Sequence, residues 1–276
     1  MPRMFIFGLG YSAASLAARL ASEGWEVMST GSAGTIAFDD AASVRLALDG
    51  ATHIVSSVPP MADGDPVLMA YGEAIRTSSA WIGYLSSTGV YGDAGGAWVD
   101  ETASLKGRRG GRLQADLDWQ ALGARVFRLP GIYGPGRSAL ERVAEGKAHR
   151  IDLPKQVFSR VHVDDIVSGV IAGFAAPAGV YNLADDLPCS QNRVIEAACD
   201  LMGVEWPPLL SLEDAKLSPM ARAFYAENRR VANGKAKRLL GWRPSFATYA
   251  EGLGALSATT NPVSATAAPA AAKNVQ

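Results

Sequence analysis

The sequence predicts an α/β fold in which helices cover both faces of a parallel, doubly wound sheet. Short β-rich runs alternate with helical stretches through the first half of the chain, as they do when helices join parallel strands. A glycine-rich turn separates the first run from the first helix. The 276 residues are 48% hydrophobic and 19% charged, which suits a well-filled globular core.

The predicted elements follow in order from the N-terminus. A strand over Met4–Phe7 leads at Gly8 into a helix over 12–23, for which Ser12 is a possible N-cap and Gly24 ends the helix. Further strands are predicted over 25–29, 36–38, 53–58, 81–85 and 125–129, with a helix over 41–48. Later helices are predicted over 163–174, capped by Asp164 or Asp165, and over 193–202 and 235–240, each ended by a glycine.

The glycine-rich turn, Gly8-Leu-Gly-Tyr-Ser-Ala13, matches the pattern GxGxxG/A. Gly8 permits a tight turn, Gly10 lets the backbone approach a pyrophosphate, and Ala13 lets the helix pack close to the strand. The helix N-terminus at Tyr11 and Ser12 offers free N–H groups and a positive dipole end to phosphates. This order of strand, motif and helix predicts a Rossmann-type domain that binds NAD or NADP; a merely tight turn is the alternative.

The end of the second strand bears on which dinucleotide is bound. A carboxylate there would hold the adenosine ribose and favour NAD. The chain instead has Thr30, Gly31 and Ser32, with no carboxylate to repel a 2′-phosphate and no arginine nearby to clamp one. NADP is therefore slightly favoured, with Thr30 and Ser32 at the ribose. Asp39 is a candidate for a hydrogen bond to the adenine edge, or forms a helix N-cap with Asp40.

Composition excludes several other classes of function. The net charge of −1 does not favour binding to nucleic acid or to an anionic membrane. Cys189 and Cys199 lie ten apart with no CxxC, which argues against a disulfide or zinc framework. The apolar Met1–Ala21 resembles a signal peptide, but its glycines and helical spacing favour a strand, turn and helix. We expect a cytoplasmic protein with a small-molecule substrate; the sequence leaves the oligomeric state open.

Five later segments resemble the extended short-chain dehydrogenase/reductase superfamily, in its group of NAD-dependent epimerases and dehydratases. The segments are SSTGVYG at 86–92, RLPGIYGPG at 128–136, RVHVDDI at 160–166, YNL at 181–183 and LLGWRP at 239–244. The resemblance implies a Rossmann domain that binds NAD(P), and a C-terminal lobe that closes over a substrate, often a nucleotide sugar. Segments 56–60 and 95–101 resemble an atypical bacterial branch, whose members are mostly named only as NAD(P)-dependent oxidoreductases. Further candidate cofactor contacts are Ser57 and Val58, at the end of the strand predicted over 53–58, and Pro130, just after the strand predicted over 125–129.

This resemblance also suggests how the chain is divided. Residues 1–135 are predicted to form the NAD(P)-binding Rossmann domain. Residues 136–256 form a mixed segment, of which part returns to the sheet and part builds the substrate lobe. Residues 257–276 are expected to be a disordered tail, because they are mostly Ala, Thr, Pro and Ser with little apolar bulk.

In the superfamily, hydride chemistry uses a Ser or Thr together with a Tyr and a Lys spaced YxxxK. The tyrosine moves the proton, while the lysine lowers its pKa and holds the ribose. By position the hydroxyl residue maps to Ser87, with Thr88 beside it, whereas Arg112 stands at the lysine position and Arg108 at the tyrosine position. Arginine stays protonated and cannot relay a proton, although Arg112 could hold a ribose or a phosphate. Tyr91 is then a candidate acid.

Other residues near the motifs have weaker claims to the chemistry. Tyr133 is a second candidate acid, His162 is predicted to be structural, and Arg108 and Arg109 are solvated charges or ligands of an anionic substrate. Two functions follow from these residues. The first is an NAD(P)-dependent oxidoreductase or epimerase/dehydratase-like enzyme that acts on a hydroxyl or carbonyl of a small metabolite, such as a nucleotide sugar or another anionic compound. The second is a non-catalytic NAD(P)-binding sensor or scaffold that has lost YxxxK.

Overall fold

A computed structural model of the chain describes residues 1–108 and 110–260. The strands are β1 (Arg3–Phe7), β2 (Glu26–Ser29), β3 (His53–Ser56), β4 (Trp81–Ser87), β5 (Trp98–Val99), β6 (Arg125–Leu129), β7 (Gly131–Tyr133), β8 (Arg150–Ile151), β9 (Arg160–His162), β10 (Gly179–Asn182), β11 (Leu209–Leu210) and β12 (Arg230–Val231). The helices are α1 (Tyr11–Ser22), α2 (Ala41–Gly50), α3 (Pro66–Thr77), α4 (Gly110–Ala121), α5 (Ala139–Ala144), α6 (Val163–Ala172), α7 (Gln191–Met202), α8 (Pro219–Phe224), α9 (Gly234–Leu239) and α10 (Tyr249–Thr260).

The main sheet has six parallel strands in the order β10-β6-β4-β3-β1-β2. Helices α1 and α6 cover one face, where Leu16 and Val170 belong to the same buried cluster. Helices α2, α3 and α4 cover the other face through residues such as Leu48, Ile75 and Trp119. Because both faces are buried against helices, the predicted α/β fold with a doubly wound parallel sheet is confirmed.

Three local predictions were wrong. Residues 36–38 do not form a strand, because the N–H groups of Thr35 and Ile36 both bond to the Ser29 carbonyl and fold the chain back onto the end of β2. Ser12 lies inside α1, whose N-cap is Gly10. Helix α6 is capped by His162, whose Nδ1 accepts a hydrogen bond from the Asp164 N–H at 3.2 Å, and not by an aspartate.

A smaller lobe packs α5, α7 and α10 around Tyr133, which lies at the end of β7. Gly252 of α10 sits so close to the Tyr133 hydroxyl that a Cβ atom there would overlap it, so this glycine sets the distance between helix and strand. Residues 257–260 continue α10, although they were predicted to begin the disordered tail; 261–276 lie outside the described residues. Within the described ranges, no helix has the length and apolarity needed to cross a membrane.

Candidate active site

A cavity of about 690 Å³ lies at the carboxyl ends of the main-sheet strands. Open α/β sheets bind their ligands at this edge. We call it the main cavity. The residues of its wall that the sequence singled out are Gly10, Tyr11, Ser12, Ala13, Ser57, Ser87, Thr88, Arg108, Arg112 and Pro130.

Gly8 shapes the glycine-rich loop from behind the main cavity. Its φ is +80°, and a Cβ atom there would lie 2.9 Å from Val58 Cγ2, so the protein itself requires a glycine. The Ser57 hydroxyl donates to the Gly8 carbonyl at 2.6 Å, and the Thr30 hydroxyl accepts from the Gly8 N–H at 3.1 Å. Thr30 is 1% exposed and its hydroxyl supports the loop; its contact with a ribose stays a prediction, which this burial does not favour.

Gly10 is a different case, because a Cβ atom there would meet no protein atom within 4 Å. Packing therefore does not require this glycine, whereas a ligand that approaches the backbone closely would. No side chain in the described part of the chain caps α1, which begins at Tyr11. The first N–H groups of the helix, at Tyr11, Ser12 and Ala13, are left for a ligand. The pyrophosphate of a dinucleotide fits such a helix end.

Ser32 and Asp39 are exposed and do not line the main cavity. Ser32 follows Gly31, where a Cβ atom would lie 3.0 Å from the Leu9 amide nitrogen, so this turn packs against the glycine-rich loop. The N-cap of α2 is Asp40, which accepts from the Ser43 N–H at 3.1 Å. Contacts of Ser32 and Asp39 with an adenosine remain predictions.

Ser87 ends β4 at the wall of the main cavity. Its Oγ accepts from the Gly89 N–H at 3.1 Å and so caps a short 3-10 helix over Thr88–Tyr91. This bond fixes the oxygen and leaves the hydroxyl proton free to donate. Thr88 also lines the cavity, and its hydroxyl has no hydrogen-bond partner among the described residues. Two hydroxyls are therefore available where the superfamily places one.

Helix α4 carries Arg112 into the main cavity, because contacts further along the helix hold it against the sheet. One turn after Arg112, the buried Asp116 accepts two hydrogen bonds from Arg128 of β6, at 2.7 and 3.1 Å, and one from Ser86 of β4 at 2.5 Å. The side chain of Arg112 is half-buried and makes no hydrogen bond or ion pair with any described residue. A partly desolvated guanidinium without a partner is well suited to bind an anion.

Arg108, at the tyrosine position, is held by the segment before β12. Its Nη2 donates to the Ala226 carbonyl at 2.7 Å, and its Nε lies 3.6 Å from Glu227. The other Glu227 oxygen lies 2.6 Å from Arg229, so one carboxylate serves two guanidinium groups. Arg137 also lines the cavity, with its guanidinium 5.5 Å above the ring of Tyr11. The described wall thus carries excess positive charge. Arg109, which the sequence also singled out, lies outside the described residues.

Tyr91 does not line the main cavity, which does not favour the prediction that it supplies the proton there. It is 2% exposed, and its hydroxyl donates to Asn182 at 2.7 Å and accepts from Arg128 at 3.0 Å. Burial raises the pKa of Tyr91, although Arg128 opposes the shift. The 3-10 helix turns Tyr91 back under the sheet edge, where it joins the network of Arg128 and Asp116.

Tyr133 and His162 pack edge to face, with ring centroids 5.1 Å apart, outside the main cavity. The Tyr133 hydroxyl and His162 Nε2 are both buried without a hydrogen-bond partner in the described structure. Burial raises the pKa of Tyr133 and lowers the pKa of His162. Both residues therefore stay neutral near pH 7, and the cap that His162 forms on α6 agrees with its predicted structural role.

A second cavity of about 380 Å³, the lobe pocket, adjoins the main cavity. The two share wall residues, among them Ile132, Arg137, Phe158 and Phe224. The wall of the lobe pocket alone also includes Arg142, Arg160, Gln191, Val194, Tyr249 and Leu253. Sequence reasoning assigned none of these residues to a site, because they come from separate elements; Arg160 alone belongs to one of the segments quoted above, RVHVDDI at 160–166.

Comparison with known proteins found a solved structure of high similarity. It is a conserved protein of unknown function from Silicibacter pomeroyi, 41% identical, which matches 94% of this chain and 99% of its own with a TM-score of 0.84. Among curated proteins, YeeZ of Escherichia coli K12 is 27% identical over 245 residues, or 75% of this chain and 86% of YeeZ. The 3-diazoavenalumate denitrifying reductase of a Streptomyces species is 28% identical over 231 residues, or 78% of this chain and 72% of the reductase.

More distant structures share the fold. The dTDP-glucose 4,6-dehydratase of Bacillus anthracis, solved with NAD, is 15% identical with a TM-score of 0.74 and matches 93% of this chain and 96% of its own. Human epimerase family protein SDR39U1, solved with NADPH, is 15% identical with a TM-score of 0.72 and matches 92% of this chain and 99% of its own. No family model matches the chain. With its parallel sheet and its glycine-rich loop, the chain shares the Rossmann-type α/β fold of these structures.

Proposed function

We propose that this protein is an NAD(P)-dependent oxidoreductase that acts on a small anionic metabolite. One observation carries the proposal. A single cavity joins the uncapped N-terminus of α1, the hydroxyls of Ser87 and Thr88, and the unpaired guanidinium of Arg112. A phosphate site, hydrogen-bond donors for a reacting oxygen and a cation for a substrate anion are the parts that such an enzyme needs.

The cofactor part of the proposal rests on Gly10 and α1. Related folds have been solved with NAD and with NADPH, which supports a nicotinamide dinucleotide as the ligand. Its pyrophosphate would accept hydrogen bonds from the N–H groups at the start of α1, and Ser32 would lie on the adenosine side. Because no carboxylate stands at Thr30–Ser32, we favour NADP. When bound, the nicotinamide ring supplies or accepts a hydride.

The chain's own residues would orient the substrate. Ser87 donates its free proton to the reacting oxygen, with Thr88 as a second donor, and Arg112 binds an anionic group of substrate or cofactor. Arg108 and Arg112 keep their charge at every physiological pH, so they stabilise developing negative charge without relaying a proton. The name of the Streptomyces relative describes a reductase of an anionic diazo compound, which supports reduction of an anion over epimerisation of a sugar.

Gly10→Ala tests the cofactor site without disturbing the fold. The φ of −78° suits alanine, and no protein atom lies near the added methyl group, so the melting temperature of the free protein should stay within about 2 °C of wild type. The methyl group would occupy the space of the pyrophosphate, so NADPH should bind at least about tenfold more weakly in a thermal-shift titration. Gly8→Ala is the matched control: it should lower the melting temperature of the free protein itself. Equal NADPH binding by Gly10→Ala and wild type would exclude this placement of the cofactor.

The replacement of YxxxK by Arg108 and Arg112 favours a second candidate, a non-catalytic NAD(P) sensor. The two candidates differ in turnover, which can be followed as NADPH oxidation with a panel of carbonyl and conjugated acids. The enzyme proposal expects turnover with at least one compound, reduced about tenfold or more in Ser87→Ala. Tight NADPH binding without turnover across the panel would favour the sensor.

A further inference from the structure

We propose that the lobe pocket recognises an aromatic carboxylate, with the ring against Phe158 and Phe224 and the carboxylate toward Arg142 and Arg160. This inference rests on the proposed function and names the substrate class of the same site. It follows from three features of the pocket: the charges on its wall, the burial of one arginine, and the order in which its groups lie from Ser87.

The charges on the wall of the lobe pocket are unbalanced. Glu141 accepts hydrogen bonds from the Gly136 and Ser138 N–H groups at 3.0 and 2.7 Å, and from the Ser138 hydroxyl. Glu145 is paired with Lys147 at 2.8 Å. Both carboxylates are therefore occupied. The exposed side chain of Arg142, by contrast, makes no hydrogen bond or ion pair within the described part of the chain, so its guanidinium is available to an incoming anion.

Arg160 is 6% exposed, yet no carboxylate lies within ion-pair distance of it in the described residues. Its Nη1 donates to the carbonyls of Phe158 and Cys189 and to Cys189 Sγ, and its Nη2 donates to Ser190 and Gln191. All of these acceptors are neutral. They fix the guanidinium in one orientation. The buried carboxyl of Asp185 lies near enough for Arg160 to oppose the rise of its pKa, but burial still raises that pKa to about 7, so near pH 7 it balances the charge of Arg160 only in part. An incompletely balanced buried charge is unfavourable. An anionic ligand would remove that cost.

Phe158 and Phe224 form an aromatic surface where the main cavity and the lobe pocket meet. Their rings stack with centroids 5.2 Å apart and planes 23° from parallel. Phe224 is 59% exposed although it is a large apolar side chain. Both residues line both cavities. A planar ring that spans the junction would cover this surface, with the offset or tilted contacts that aromatic groups prefer.

The order of the groups distinguishes an aromatic acid from a nucleotide sugar. From Ser87 in the main cavity, the wall passes the phenylalanine pair at the junction and then reaches Arg142 and Arg160 in the lobe. This order matches a molecule with a reactive group at one end, a ring in the middle and a carboxylate at the other end. A nucleotide sugar would need its diphosphate at the junction. The junction arginine, Arg137, instead stacks on Tyr11 toward the cofactor end.

The test measures ligand binding to the NADP⁺-saturated protein by calorimetry. The probes are benzoate, trans-cinnamate and 5-phenylpenta-2,4-dienoate, each paired with its neutral amide, and UDP as the nucleotide probe. We expect at least one acid to bind about tenfold or more tightly than its amide, as for a charge-assisted hydrogen bond. Arg142→Ala should weaken the binding of that acid about tenfold and leave its amide unchanged. Arg45→Ala, which removes an exposed and unpaired arginine of α2, is the matched control and should change neither.

Three results would overturn the inference. In the first, the acids bind no better than their amides. In the second, Arg142→Ala binds the acids as Arg45→Ala does. In the third, UDP binds more tightly than every acid and Arg142→Ala abolishes the binding of UDP. Phe224→Ala is an independent test: it removes the contact with the ligand ring and should therefore weaken the binding of the acid and of its amide equally. If NADP⁺ itself fails to bind, the proposed function fails; if NADP⁺ binds and the acids do not, only this inference fails.

Discussion

Replacement of Asp185 by asparagine should change how the stability of this protein depends on pH. Asp185 lies just after β10 and is 2% exposed, and neither of its carboxylate oxygens has a hydrogen-bond partner in the described structure. Burial raises its pKa from 3.8 to about 7, against an opposing effect of the nearby Arg160. The folded protein therefore holds this proton more tightly than the unfolded chain does.

The sign and size of the effect follow from that difference. A carboxyl group whose pKa is raised on folding stabilises the protein fully below its ordinary pKa of 3.8, and this stability is lost as the pH rises through about 7. Each pH unit in that interval is worth about 1.4 kcal/mol. Between pH 5 and pH 8 the wild type should therefore lose roughly 2–3 kcal/mol of unfolding free energy that the neutral asparagine variant keeps.

Urea unfolding followed by circular dichroism at pH 5, 6, 7 and 8 measures this difference. At each pH we compare the unfolding free energy of the variant with that of the wild type. The change of this difference with pH is the test, because the cost of burying the new amide is the same at every pH and cancels. Asp186→Asn is the matched control: hydrogen bonds from Lys237 and Asn233 lower the pKa of Asp186, so its effect should be constant above pH 5. A gap for Asp185→Asn that varies by less than about 0.5 kcal/mol between pH 5 and 8 would refute the reasoning.

Two further substitutions test the packing around the site. Gly252→Ala should lower the unfolding free energy by about 1–3 kcal/mol in urea unfolding, because the new methyl group overlaps the Tyr133 hydroxyl. Gly254→Ala in the same helix meets no atom within 4 Å and should not destabilise the protein, so equal effects of the two would contradict this packing. Arg128→Met should lower the unfolding free energy by about 3–5 kcal/mol, because it leaves the buried Asp116 without its ion pair. Adding Asp116→Leu should recover most of this loss in the same assay. No recovery would mean that Arg128 stabilises the protein in another way.

The parts of the site that the sequence predicted are those set by local patterns. The glycine-rich loop, Ser87 and Pro130 each follow a strand, so the alternation of strands and helices was enough to bring them to one edge of the sheet. The position of Arg112 could also be predicted, because Asp116, one turn later in α4, holds the helix against the sheet with Arg112 facing the main cavity. Where one turn of backbone decides which way a side chain faces, the motif was not enough: Tyr91 follows Ser87 by four residues yet lies in the core.

Other features depend on contacts between residues far apart in the sequence. Thr30 was assigned to a ribose because it follows β2, but its hydroxyl meets the Gly8 amide across the sheet edge. Arg142, Arg160 and Phe224 come from three separate elements, and nothing in their neighbouring residues marks them as parts of one pocket. Their meeting depends on how the lobe folds over the sheet, which periodicity and capping signals do not encode.

The return of the chain to the main sheet at β10 has a consequence for engineering this protein. Strand β10 extends the sheet beside β6, and its Asn182 bonds to Tyr91, so a late part of the sequence completes the sheet that carries the glycine-rich loop. The segments that shape the lobe pocket are interrupted by α6 and β10. A chimera that takes its specificity from a relative must therefore exchange two separate stretches, one between β6 and α6 and one after β10, while the recipient keeps both intervening elements.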